Sequence, residues 1–346
     1  MTASLSAADL TGGNDPAIDL VTAGTPDDAA HREGINVWVW DDTGQVCFPR
    51  MGIESVGANW DGARTLMLNC AMPDGRVLTR WEDLAPTADS NDATDPRVIA
   101  AGPMRFECLE PFLRWKVRFD GKVEETSLGR QIAGEGPAAI GPARRAPGAV
   151  TLRYELDLVS VCPPWFQGSL GGRDFVPGED RFEQLHRVTG TVGIDGRERP
   201  FSGGALRIHR KGANRTPHGH FFGHVWNSAF FPSGRAFGFI HYYPYPDGKP
   251  KFREGWAIEE DGQMVPAEIL DRPWLQSSQV HDDTFSFIIR TARAESRVTA
   301  RTHASCFAPQ TETFPDLQQG IGQFRWRGEE AYGMIERSTW RYPSKS

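Results

Sequence analysis

Short runs of alternating apolar and polar residues, each closed by a turn signal, dominate this chain from Ile35 to Trp340. INVWVW (35–40) leads into Asp41-Asp42-Thr43-Gly44, and RTLMLNCAM (64–72) runs into Pro73-Asp74-Gly75 before RVLTRW resumes the alternation. MRFECLE and FLRWKVRF are split by Pro111 and end at Asp120-Gly121, while VTLRYELDLVSV (150–161) alternates until Pro163-Pro164. The second half continues as hairpins turning at Asp195-Gly196, Pro232-Ser233-Gly234, Asp261-Gly262 and finally Gly328-Glu329-Glu330. A period of two places successive side chains on opposite faces, the pattern of strands packed on one side and wet on the other. No amphipathic helix longer than two turns is apparent. About a dozen or more strands, with turns roughly every 8–12 residues, predict an all-β sandwich or barrel architecture, two in tandem.

The 346 residues agree with two units at about 150 residues each, one large β domain being the alternative. Residues 1–30, rich in Ala, Gly, Asp and Thr, read as a flexible leader. An N-terminal β domain over 31–172 and a C-terminal one over 173–346 are expected, divided in the loop-like GGRDFVPGED (171–180). The Gly/Pro/Ala-rich 132–148 reads as a long loop of the kind that forms lids or binding loops. With 39% hydrophobic and 11% aromatic residues a full core is within reach. A net charge of −7 argues against a non-specific nucleic-acid binder. There is no apolar run of the roughly 20 residues that a transmembrane segment needs, and no signal-like N-terminus. The five cysteines lack CxxC spacing and read as reduced, mostly buried thiols of a cytoplasmic protein. A homodimer is left open.

Histidine is concentrated: His186, His209, His218, His220, His224 and His241 are six of the nine. If one strand runs through them, His218, His220, His224 and Trp226 share a face. Two functional readings follow. The spacing G-x5-H-x-H-x3-H from Gly212 resembles the first metal motif of cupins, so His218, His220 and His224 are an alternative ligand set for Fe or Zn. The downstream histidine of the second cupin motif has no counterpart, since neither His241 nor His281 is properly placed. The other reading has no cofactor: the imidazoles, His224 and His241 among them, border an aromatic-lined pocket and act as donors or acid–base groups. Solvent-facing histidines of an antiparallel sheet are the bland alternative.

The stretch from Arg181 to Arg215 is the most distinctive. Arg207, His209, Arg210, Lys211 and Arg215 gather four cations and an imidazole, either to bind an anionic group or to pair with carboxylates such as Glu183 and Glu336. Both glutamates lie in otherwise apolar strand contexts, where a carboxylate is costly without a partner. Pairing of Glu336 with Arg207 or Arg337 is one expected solution. Trp226, Phe230, Phe237, Tyr242, Tyr245 and Trp256 crowd the second half as cavity wall or plain core.

Several short motifs together resemble the AttH-like, carotenoid 1,2-hydratase-related family. They are the R-F-E-Q strand (181–184), the G-x-V-x-I-D-G turn ending at Gly196 and the Gly-rich return with its R-x-H stretch. Glu110, Trp115, Val117, Phe119, Asp120 and Gly121, the Leu156-Asp157-Leu158 strand and the closing A-Y-G-M-I-E-R-S (331–338) agree. Where that family shows Arg-Asp-His-Ser-Trp-Gly, this chain has Arg207-Ile208-His209-Arg210-Lys211-Gly212, keeping the histidine and the glycine. The resemblance, over roughly residues 35–340, implies two lipocalin-like β domains in tandem and protonation of an alkene so that water or another nucleophile adds. The expected function is therefore binding of a lipophilic small molecule (a terpenoid, steroid-like or aromatic compound). Cofactor-independent hydration, dehydration, isomerisation or cyclisation would follow. His209, Glu183 and Glu336 are the candidate acid–base residues. Arg207 and Arg215 would orient a carboxylate or hydroxyl, and Trp226, Tyr242, His224 and His241 would contact the ligand. A non-catalytic carrier of the same fold is the remaining alternative.

Overall fold

The computed structural model describes residues 9–57, 60, 62–85, 95–141, 148–166, 179–213, 222–244, 252–276 and 281–340. Its strands are, in the first sheet, β1 (His31–Asp41), β2 (Cys47–Val56), β3 (Arg64–Ala71), β4 (Arg76–Leu84), β5 (Val98–Ala101) and β6 (Met104–Glu110). The same sheet continues with β7 (Arg114–Ser127), β8 (Val150–Ser160), β9 (Trp165–Phe166), β10 (Glu179–Ile194) and β11 (Arg197–Ala213). The second sheet holds β12 (His224–Phe230), β13 (Ala236–Tyr242), β14 (Arg253–Ile258), β15 (Met264–Pro266) and β16 (Glu268–Leu270). It ends with β17 (Thr284–Arg290), β18 (Glu295–Ala308), β19 (Asp316–Trp326) and β20 (Glu329–Thr339). The fold is all-β, two lipocalin-like antiparallel units in tandem. The first sheet runs β4-β3-β2-β1-β11-β10-β8-β7 and closes through pairing of β4 with β7, so no edge is left in that ring. The second runs β15-β14-β13-β12-β20-β19-β18-β17-β16.

The turns form where their residues allow them. The β10–β11 hairpin turns through Asp195 (φ 48°) and Gly196 (φ 77°), the left-handed pair that a two-residue connection with the natural strand twist requires. The loop after β7 begins with a short helix, α1 (Leu128–Ala133), capped by Ser127 and ended by left-handed Gly134. Gln131 then ties this loop to the second sheet, its Oε1 accepting from the Phe307 amide at 2.9 Å, while Ala139 N–H donates to Phe307 O at 3.0 Å.

Alternation holds where one face meets water, as in β8, whose residues are buried at every second position. The expectation of one wet face fails for β1, β12 and β13, which are buried on nearly every residue. The reason is a third apolar layer. One core fills the barrel (Val37, Phe106, Trp115, Leu156), and another lies inside the curve of the second sheet (Phe237, Phe287, Phe324, Trp326). Between the two sheets, Trp38, Trp40, Leu206, Trp226, Ile240 and Met334 form the layer that joins them. The sheets part between Ala213 and His224, so the β10–β11 hairpin, expected to open the second half, hydrogen-bonds to β1 and β8 of the first sheet. The five cysteines are free and buried. Among the described residues no helix is long and apolar enough to cross a membrane.

Within the expected flexible leader, which is described from residue 9 onward, Asp19 and Val21 are buried. A 3-10 turn over Pro16–Asp19 carries the Asp19 carboxylate into the barrel mouth, fully buried. It accepts from Phe112 N–H at 2.5 Å and Trp115 Nε1–H at 2.8 Å and meets Arg207 Nη1 at 2.8 Å. His209 completes the group, 2.8 Å from Glu33 Oε1 and 3.7 Å from Asp19 Oδ1. Burial pushes both carboxyls up, but the Arg207 and His209 contacts at Asp19, and the His209 and Thr22 contacts at Glu33, hold each below the usual range. Replacing Asp19 by Asn strands the Arg207 guanidinium in the interior. The variant is expected to lose about 3–5 kcal/mol in urea unfolding at pH 7, with the urea dependence of the free energy unchanged.

Candidate functional site

A cavity of about 410 Å³ lies between the two sheets. Strand parity decides what reaches it. On β1, Asn36 and Trp38 point into it while Ile35, Val37 and Val39 fill the barrel. On β11, Ile208 and Arg210 face it while Arg207 and His209 face the barrel interior. On the second sheet His224 and Trp226 of β12, Ile240 and Tyr242 of β13 and Glu336 of β20 form the opposite wall. Ile140, from the loop after α1, and Phe314 also line it. The wall is mostly apolar and aromatic with a few convergent polar groups, the usual make-up of a small-molecule site.

The polar centre is a chain of hydrogen bonds. Ser338 Oγ accepts from the His224 backbone N–H at 2.8 Å and lies 2.7 Å from His224 Nδ1. A hydroxyl that already accepts donates its own proton to Nδ1, so Nε2 carries the imidazole proton and donates to Glu336 Oε1 at 2.8 Å. Gln319 Nε2 donates to the other carboxylate oxygen at 2.6 Å, and Asn69 links Gln319 to the first sheet through Thr79. Tyr242 stacks on the His224 ring at 5.4 Å. Burial pushes the Glu336 carboxyl up, but the His224 hydrogen bond and the Arg50 charge outweigh it and keep Glu336 ionised. Glu183, behind the wall, accepts from Trp226 Nε1 at 3.2 Å and pairs with Arg181. There burial wins, and the carboxyl is raised. Two buried glutamates of this region are thus driven in opposite directions.

The expected site residues divide accordingly. Glu336, His224, Trp226 and Tyr242 are brought together at the cavity, and Glu183 stands one layer behind it. His209 and Arg207 are not there, since their parity on β11 turns them into the buried Asp19–Glu33 group. His241 faces away as well, accepting from Arg272 Nε at 2.7 Å beside Phe239. The expected partners of Glu336 are also corrected, because Arg207 pairs with Asp19 and Arg337 with Asp283 at 2.5 Å, leaving Arg50 nearest at 3.7 Å. Arg215, Tyr245, His218 and His220 lie outside the described residues. Among the described residues no group of three or more His, Cys, Asp or Glu is placed to hold a metal, and both nitrogens of His224 are engaged by Ser338 and Glu336.

Sequence reasoning missed Asn36, Trp38, Arg50, Gln319 and Ser338. A signal existed in two cases: Asn36 interrupts the apolar INVWVW run, and Arg50 stands among the buried residues of β2. Gly52, in register with Asn36, belongs to the same design. A Cβ there would lie 2.2 Å from Asn36 Oδ1, so only glycine leaves that amide its place at the wall.

The profile of a family described as a domain of unknown function, DUF7064, matches residues 15–341, from the N-terminal turn to past the end of β20. The chain belongs to this family. No curated protein matches its sequence. Among solved structures, this DUF7064 chain is similar to a Nitrosomonas europaea protein assigned as AttH (NE1406), with 14% identity and a TM-score of 0.52 over 91% of this chain and 94% of the other. CghA in complex with Sch210972 gives 12% identity and a TM-score of 0.59 over 90% and 89%. Kievitone hydratase of Nectria haematococca gives 9% identity and a TM-score of 0.52 over 94% of both chains. At these identities the likeness is one of fold, and that fold is the AttH type expected from the short motifs.

The buried histidines outside the cavity set a pH dependence. Burial lowers His186 and His241 to about 3, from an ordinary 6.5. Both are neutral in the native protein and take up protons on unfolding once the pH drops below about 6.5. Their stabilisation is therefore complete above that pH and is lost as the pH falls towards 3. Urea unfolding between about pH 6 and 4 should show stability falling by ~1.4 kcal/mol per pH unit for each histidine, and H241Q should remove one such contribution.

Proposed function

We propose that the cavity between the sheets binds a lipophilic small molecule and that the His224–Glu336 pair performs acid–base chemistry on it, of the hydration or dehydration kind. The observation that carries this is the position of a doubly hydrogen-bonded imidazole–carboxylate pair on the wall of an aromatic cavity. The similarity of fold to kievitone hydratase, an enzyme named for adding water, supports the reaction class, and the capture of Sch210972 by CghA supports an organic ligand.

In the hydration direction one alkene carbon receives a proton and the other receives the oxygen of water, whose second proton returns to the protein. Imidazolium His224 against ionised Glu336 is the donor form of the pair, and neutral His224 against Glu336 is the acceptor form. The pair ends each cycle as it began. In the donor form the imidazolium gives up the Nε2 hydrogen bond to Glu336 and passes that proton to the alkene carbon, leaving a neutral ring whose Nδ1–H donates to Ser338 Oγ; the proton from water returns to Nε2. Ser338 holds the ring and Gln319 holds the carboxylate throughout. Trp38 and Trp226, edge to face at 4.8 Å, offer indole surfaces to the cationic carbon formed in between.

The test is a panel of prenylated phenols, terpenoid alkenes and their hydrated counterparts. Binding is followed by quenching of the cavity tryptophans and turnover by uptake of 18O from labelled water. E336Q and H224A should each lower turnover by about 10²–10⁴-fold while ligand affinity changes by only a few-fold. Binding without turnover of any member would favour a carrier. Variants that turn over at the wild-type rate would overturn the assignment.

A further inference from the structure

We infer that the ligand of the inter-sheet cavity carries one ionised oxygen group, a carboxylate or phenolate on its lipophilic skeleton, and that Arg50 receives it. This rests on the cavity being the ligand site. The charges around it do not balance. Among the described residues, the guanidinium groups of Arg32, Arg50, Arg181 and Arg210 face the cavity, against the carboxylates of Glu54 and Glu336. Glu54 is shared between Arg32 and Arg210, and Arg181 is met by Glu183 just behind the wall. Counting Glu183, three carboxylates stand against four guanidiniums among the described residues, an excess of one positive charge when His224 is neutral.

That surplus is localised. Arg50 is the least engaged of the four. Its closest carboxylate oxygen, on Glu336, is 3.7 Å away, beyond hydrogen-bond length, and both oxygens of that carboxylate already accept from His224 and Gln319. Arg50 Nη1 reaches only the Met67 sulfur at 3.8 Å, and Nε finds no partner among the described residues. Its guanidinium instead lies 4.9 Å over the Trp38 ring. A buried guanidinium without a full counter-charge is costly in a folded protein unless a ligand completes it. The Arg50 side chain keeps 12% of its surface open, and an oxyanion in the cavity meets it there. Placing the anion at Arg50 also sets it close to Glu336, so the anchored end of the ligand lies beside the acid–base pair.

The test uses the whole protein and a matched set of fluorescent probes: 4-(1-pyrenyl)butanoic acid, its methyl ester and 1-pyrenebutylamine, titrated at pH 7.5 by energy transfer from the cavity tryptophans. The acid is expected to bind about 10-fold or more tightly than the ester, and the amine more weakly than either. In R50M the acid-to-ester ratio should fall to within about 3-fold, and R50K should retain part of it. If R50M does not fold, as judged by circular dichroism, the wild-type ratio together with R50K decides. Equal affinity of acid and ester in the wild type overturns the anion inference while the lipophilic cavity stands. Binding of none of the three probes overturns the cavity reading and this inference with it.

Discussion

The structure depends on the face-to-face packing of two sheets that each already have a core of their own. β1 and β11 on one side and β12, β13 and β20 on the other are covered twice, once by their own unit and once by the opposing sheet. Burying an indole such as Trp38 or Trp226 removes on the order of 150–250 Å² from water, so this middle layer is a strong apolar adhesive. It also fixes the relative position of the sheets to within a side chain, since interiors pack like solids rather than liquids. A cavity left open in such a layer is therefore rigid and reproducible, and every group on its wall has a defined direction.

Polar groups enter that layer only where they are tied together. The run from Ser338 through His224, Glu336 and Gln319 to Asn69 crosses from one sheet to the other by side-chain hydrogen bonds. The proposed chemistry at the cavity and the attachment of the two units thus use the same residues. A second buried ionic group, Asp19 with Arg207, Glu33 and His209, does a different job. It anchors the N-terminal segment in the barrel mouth and has no face on the cavity. Two histidines of one sequence cluster therefore differ in role because they point to opposite sides of sheets.

Much of the fold was readable because strands repeat every two residues and turns are marked by Gly, Pro and Asp. The hairpins at Asp195-Gly196 and Pro232-Ser233-Gly234 form where the alternation breaks. Four of the expected site residues, His224, Glu336, Trp226 and Tyr242, do meet at the cavity. His209 and Arg207 were the natural choices on motif grounds. Their misplacement has a simple cause: alternation tells that Arg207 and Ile208 face opposite ways, and it is silent on which way leads to a cavity. Arg50 and Trp38 stayed invisible for a related reason, as they belong to the first unit and become site residues only when the second unit covers them.

What the sequence alone determined about this protein is local: strand period, turn chemistry, free buried cysteines and the all-β tandem plan, each set by interactions between near neighbours. Tertiary structure decided the rest. It chose which face of each double-covered strand looks onto the opening, paired His224 with Glu336 across adjacent strands and Asp19 with Arg207 from distant segments, and left Arg50 over Trp38 without a full counter-charge. These contacts join residues far apart along the chain, and a periodic pattern carries no information about which two surfaces will be pressed together.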